Sequence, residues 1–136
     1  MGQVLYSLQN YTGAIQSLNK ALAINPNHIF ALEFKGFVLN GLGEYKESLV
    51  SLNRALELTT MATDANVYVT LENKGLDLMK LGDYEQALST FDAAIAAQPH
   101  LEWAYYYKAL TLVTLDFHTH NFSDMDTALQ YKNRKK

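Results

Sequence analysis

From Gly75 to Pro99 the chain reads GLDLMKLGDYEQALSTFDAAIAAQP, and the spacing of Gly75, Tyr84, Ala87, Phe91, Ala94, Ile95 and Pro99 decides the fold. The same spacing stands 39 residues earlier, at Gly36, Tyr45, Ser48, Leu52, Ala55, Leu56 and Thr60. It stands again 34 residues before that, at Gly2, Tyr11, Ala14, Leu18, Ala21, Leu22 and Pro26. A uniform offset over seven positions means an internal repeat. The change from 34 to 39 means one insertion of five residues, near Met61 to Val67. A fourth copy follows 34 residues on, where Ala109, Ala128 and Leu129 fall in phase, but Asp116 to Asn121 has lost the pattern.

Each copy reads as two helices. Tyr45, Ser48, Leu49, Leu52, Ala55 and Leu56 follow three-and-four spacing, and so do Tyr84, Ala87, Leu88, Phe91, Ala94 and Ile95. Leu42-Gly43-Glu44 and Leu81-Gly82-Asp83 are the breaks between paired helices. Asp83 with Gln86 forms a capping box, Glu44 reads as a cap at the matching start, and Asn10 caps the equivalent helix of the first copy. Pro26 and Pro99 end one copy and open the next, with His28 and His100 at the corresponding turns. Gly36 and Gly75 fall inside helices, where glycine costs about 1 kcal/mol relative to alanine. Their presence predicts a large neighbour against the backbone, and the Tyr45 and Tyr84 rings are the sequence's candidates. A two-helix unit cannot bury its own apolar face, so the copies must stack.

The totals narrow the function. Of 136 residues 49% are hydrophobic and 18% charged, an ordinary globular balance. A net charge of -3 argues against nucleic acid as the partner, since such binders carry a basic excess. The absence of cysteine rules out disulfides and thiolate metal sites. No apolar run has the length of a membrane span, and the N-terminus has no signal-peptide pattern, so the expected location is the cytoplasm.

With period, glycine, tyrosine, alanine and proline in these positions, the chain resembles the tetratricopeptide repeat (TPR) family, strongly over residues 2–99 and weakly over 100–132. The resemblance implies an all-α fold, a right-handed superhelical solenoid of antiparallel helix pairs. Its expected divisions are a truncated first repeat (1–28), a second (29–62), an insertion (63–67), a third (68–101) and a divergent fourth with a C-terminal capping helix (102–136). Asp64 is the expected cap of the helix after the insertion.

In the family the first helix of each pair lines a concave groove that binds proteins or peptides. Carried over by position, that groove holds Phe30, Glu33, Phe34, Phe37 and Asn40, then Val69, Glu72, Asn73, Leu76, Met79 and Lys80. Trp103, Tyr106, Tyr107, Leu110 and Val113 follow from the fourth copy, with Gln3 and Tyr6 from the first. The family's carboxylate clamp needs lysines and an arginine. Its positions read Gln3, Phe34, Val69 and Asn73 in one frame, and Glu33, Phe37, Asn73, Trp103 and Tyr107 in the next. Neither set supplies a cation for a carboxylate, so a chaperone tail is not the expected ligand. An apolar or basic segment, extended or helical, suits the set better. Against this stands the reading that helically spaced aromatics are core, with Phe37 and Leu76 packed on the preceding helix.

Two other functions remain open. A truncated first repeat leaves Leu5, Leu8 and Ile15 poorly covered, which favours a homo-oligomer through that repeat or a self-assembling scaffold. The chain also reads as a piece of a larger protein. No catalytic motif is present, and no cofactor or metal is expected. His118 and His120, with Asp116, Asp124 and Asp126, are the only metal-like cluster, and they read as a solvated loop. The ending Lys132-Asn133-Arg134-Lys135-Lys136 reads as a solvated helix terminus.

Overall fold

The computed structural model describes the backbone of residues 2–59 and 67–134, and the side chains of residues 8–59 and 67–118. The insertion, the Asp64 cap, and the side chains of Gln3, Leu5, Tyr6, His120, Asp124, Asp126 and the basic ending lie outside those described residues.

Six helices and no strand make up the described chain: α1 (Gly2–Ile24), α2 (Ile29–Gly41), α3 (Tyr45–Leu58), α4 (Val67–Lys80), α5 (Tyr84–Ala97) and α6 (Glu102–Arg134). Each packs against the next in sequence, and α2 also lies beside α4. The two interior pairs turn at glycine. Gly43 and Gly82 have φ of 81° and 82°, a left-handed backbone that side chains disfavour. Around the first, Glu44 N donates to Leu39 O at 2.9 Å and Gly43 N to Asn40 O at 3.0 Å. Around the second, Asp83 N donates to Leu78 O at 2.8 Å and Gly82 N to Met79 O at 3.1 Å. Both are Schellman caps, which satisfy the last carbonyls of α2 and α4 and reverse the chain.

The outer copies depart from the expected helix pairs. α1 and α6 each run unbroken through the position of the turn. Gln9 and Asp116 stand where the interior copies have Gly43 and Gly82. Without a residue at ease in the left-handed region, the backbone continues as helix. Asn10 is therefore an interior residue of α1 and caps nothing, and residues 116–121 are helix and not loop.

Two further expectations are corrected. The neighbours of the helical glycines are Leu52 and Phe91, not the tyrosines. A Cβ on Gly36 would lie 2.5 Å from Leu52 Cδ2, and one on Gly75 would overlap the Phe91 ring. Tyr45 and Tyr84 open helices that run antiparallel to their partners, so a residue two turns further along reaches the glycine. Glu44 stands at the N-cap of α3 but makes no side-chain cap bond, whereas Asp83 Oδ1 accepts from Gln86 N at 3.4 Å. Aspartate has the shorter reach a cap needs. His28 caps α2, its Nδ1 accepting from Ala31 N at 3.1 Å.

The core follows from these contacts. Leu52, Ala55, Ala87, Phe91, Ala94 and Ala104 are fully buried. Phe91 and Leu78 gather Leu49, Met79, Trp103 and Tyr107 around them.

Close approach at Gly75 gives opposite outcomes for two glycine-to-alanine changes. Gly75→Ala is expected to lower unfolding free energy by about 1–3 kcal/mol, because overlap with Phe91 outweighs the gain in helix propensity. Gly13→Ala, where a Cβ meets nothing within 4 Å, is expected to raise it by about 0.5–1 kcal/mol. Urea titrations followed by circular dichroism would show this, and a change of the same sign at both sites would contradict it.

Candidate functional site

α2 and α4 lie side by side, and two side-chain hydrogen bonds tie them, each across a separation of 37 residues. Thr70 Oγ1 donates to Glu33 Oε1 at 2.8 Å, and Asn40 Nδ2 donates to Asp77 Oδ1 at 2.5 Å. Glu33 and Asn40 are seven residues apart, as are Thr70 and Asp77, so the ties recur two helical turns apart on both helices. They hold the helices in one register.

Above the Glu33–Thr70 tie opens a cavity of about 550 Å³, lined by Phe30, Glu33, Phe34, Phe37, Val69, Thr70 and Asn73. Phe34 and Phe37 stack with ring centroids 6.0 Å apart. Phe30, Phe34 and Phe37 are 62%, 52% and 54% exposed, so three phenylalanines of one short helix face solvent. Glu33 is the one ionisable side chain in the lining, and it accepts from Thr70.

Six of the sequence-derived groove residues, Phe30, Glu33, Phe34, Phe37, Val69 and Asn73, thus share one cavity. The others lie elsewhere. Asn40 is engaged with Asp77, and Glu72 and Leu76 are half-buried on α4, where burial raises the Glu72 pKa. Trp103 and Tyr107 pack on the core, Tyr107 stacking on Phe91 at 5.7 Å. Tyr106, Leu110 and Val113 are exposed on α6, outside the cavity.

Thr70 and Asp77 were not legible as site residues, though a signal existed. Thr70 aligns in the repeat with Ala31 and Ala104, and these positions are 2%, 5% and 0% exposed. Asp77 aligns with Val38 and Thr111, at 0%, 2% and 0%. A polar residue at a position buried in all three described copies has to find a partner, and Thr70 and Asp77 both find one on α2.

Asp77 satisfies only one of its two carboxylate oxygens. Its Oδ2 is buried with no hydrogen-bond partner. Burial pushes its pKa up, and hydrogen bonds from Ser48 and Asn40 offset part of that rise. At the other end of the repeat array, His118 rests on Tyr84, with centroids 5.4 Å apart and Nε2 3.3 Å from the phenol oxygen. Among the described residues no three histidine or carboxylate groups converge as metal ligands, and no helix is long and apolar enough to cross a membrane.

The raised Asp77 pKa fixes the sign of a pH effect. Its contribution to stability is complete when protonated and is lost as pH rises through the folded-state value. Against Asp77→Asn, the parent chain is expected to gain relative stability as pH falls from 7 toward about 4. Paired urea titrations measure this difference. A parent that loses ground to the variant on acidification would show that the folded state favours the anion.

Two models of the tetratricopeptide repeat match the chain, one over residues 1–28 and the other over residues 73–111. A search of curated protein sequences returned no match. Among solved structures the chain is similar to the Arabidopsis OM64 TPR domain, at 14% identity and a TM-score of 0.68, covering 81% of this chain and 87% of that one. It is similar to MamA 41-end from Desulfovibrio magneticus RS-1, at 20% identity and a TM-score of 0.72, covering all of this chain and 74% of that one. It is also similar to the yeast Sti1 TPR2B domain, solved as a complex with pHsp70, at 18% identity and a TM-score of 0.62, covering 80% and 90%. At such identities the likeness speaks for the fold.

Proposed function

We propose that the chain, a tetratricopeptide repeat protein, is a protein-interaction module whose cavity between α2 and α4 seats an apolar segment of its partner without turnover. The observation that carries this reading is the exposure of Phe30, Phe34 and Phe37 around one 550 Å³ cavity. Aromatic side chains held on rigid helices supply contact area at low entropic cost, and they dominate binding hot spots. The ties beneath them hold the groove in shape before the partner arrives, so docking orders little of the protein.

Charge selects the class of partner. The lining offers one carboxylate, Glu33, and no lysine or arginine. A ligand entering by a free carboxylate would lose water without gaining a cation, so the reading favours a neutral or basic segment with large apolar side chains. The carboxylate-clamp mode finds no support here.

A peptide-display selection tests the reading. The parent is expected to enrich an apolar motif without acidic residues. Phe34→Ala should weaken that peptide by about tenfold or more, and Phe34→Glu should abolish enrichment while circular dichroism stays unchanged. Equal enrichment by parent and folded Phe34→Glu would place binding elsewhere. A second reading, self-assembly, rests on a different observation, the uncovered edges of the outer helices.

A further inference from the structure

The interior helix pairs show what the outer helices lack. In each pair a small residue on the first helix meets a large one on the second, Gly36 against Leu52 and Gly75 against Phe91. The first-helix stripe is buried by this contact. Leu32, Gly36 and Leu39 are buried on α2, and Gly75 and Leu78 on α4. The second-helix stripe is buried too. Ser48, Leu52 and Ala55 on α3, and Ala87, Phe91 and Ala94 on α5, are all at 0% exposure.

On α1 and α6 the matching stripes stand without a counterpart among the described residues. α6 is a first helix by sequence phase, and it packs on α5 as α4 packs on α3. Its matching stripe is Tyr105, Ala109 and Leu112, all exposed, with Leu112 at 47% where Leu39 and Leu78 are at 2% and 4%. α1 over residues 11–24 is a second helix by phase, and it packs on α2. Its stripe, Ala14, Leu18 and Ala21, is only half-buried. Because Gln9 and Asp116 replace the turn glycines, neither outer helix folds back to cover itself.

We propose that these two half-covered faces cover each other between molecules. The α6 stripe of one copy takes the α1 stripe of the next, and together they complete a helix pair. The small-against-large pattern selects this arrangement. Ala109 is the small residue of the α6 stripe and Leu18 the large residue of the α1 stripe, as Gly36 and Leu52 are in the interior. Two α6 stripes face to face would set one first-helix stripe against another, whereas the described contact between first helices, α2 with α4, runs through Glu33–Thr70 and Asn40–Asp77 and not through the stripes. The alanine methyl needs slightly more room than glycine, and two helices not joined by a turn are free to give it. The interface is heterologous, so nothing closes it after two copies, and the assembly continues as a longer solenoid. One helix pair buries less than a standard interface, so association is expected at tens to hundreds of micromolar, about the range of weak contacts. This inference is independent of the α2–α4 groove.

Light scattering and sedimentation across that range test it. The mean mass is expected to climb past two copies with concentration. A mass that stays monomeric, or that stops at a dimer, overturns the proposal. Leu18→Arg and Leu112→Arg each block one face. Each variant alone is expected to be monomeric, and an equal mixture is expected to form a dimer and nothing larger. Self-association of Leu18→Arg at the parental level overturns the proposal. Should an arginine disturb folding, the cysteine-free sequence provides another route. Leu18→Cys combined with Ala109→Cys, oxidised mildly, is expected to give a ladder of dimers, trimers and longer species on a non-reducing gel. Monomer alone would overturn the proposal.

Discussion

The contact on which this structure depends is a side chain set against bare backbone: Leu52 on Gly36, Phe91 on Gly75. It brings the two helices of a pair close enough for their small residues to touch, which is why Ala55, Ala87 and Ala94 reach zero exposure. Without it the pair would splay. A splayed pair could not present a flat face to its neighbour, and stacked pairs are the only way these short helices bury their apolar sides. The placement of α2 beside α4, and with it the groove, follows from that stacking.

A second constraint decides where pairs exist at all. Left-handed turns at Gly43 and Gly82 reverse the chain, and Gln9 and Asp116 let it run on. The repeat period was plain in the sequence because glycine, tyrosine and alanine recur at fixed offsets. The loss of the outer hairpins was less plain, because most of the pattern survives there. Tyr11, Leu18 and Ala21 keep their phase in α1 even though the residue that makes the turn is gone. A single position with a special backbone requirement outweighed several positions that only require an apolar side chain.

The groove shows the same division between what spacing reveals and what it hides. Phe30, Phe34 and Phe37 were legible as one helical face, since three-and-four spacing fixes direction. Trp103 and Tyr107 had equally good spacing, yet they sit on the Leu78–Phe91 core. The difference is which neighbour lies opposite, and that depends on how α6 settles on α5. The partner choices of Thr70 and Asp77 were hidden for a related reason. Their buried positions can be read from the repeat, but the 37-residue register that sets them against Glu33 and Asn40 belongs to the packing of α2 on α4.

These polar ties bear on function through what they leave uncovered. Glu33 and Asn40 are drawn into hydrogen bonds with α4, which leaves the exposed lining between the helices largely to phenylalanine and valine. One of the ties comes at a cost, since Asp77 keeps a buried oxygen without a partner. An apolar residue there, as Val38 is in the second copy, would avoid that cost but could not accept from Asn40. The retained carboxylate makes sense as a register device. It trades some stability for a fixed spacing between two helices, and the proposed groove, which would bind by shape, depends on that spacing more than on the last increment of stability.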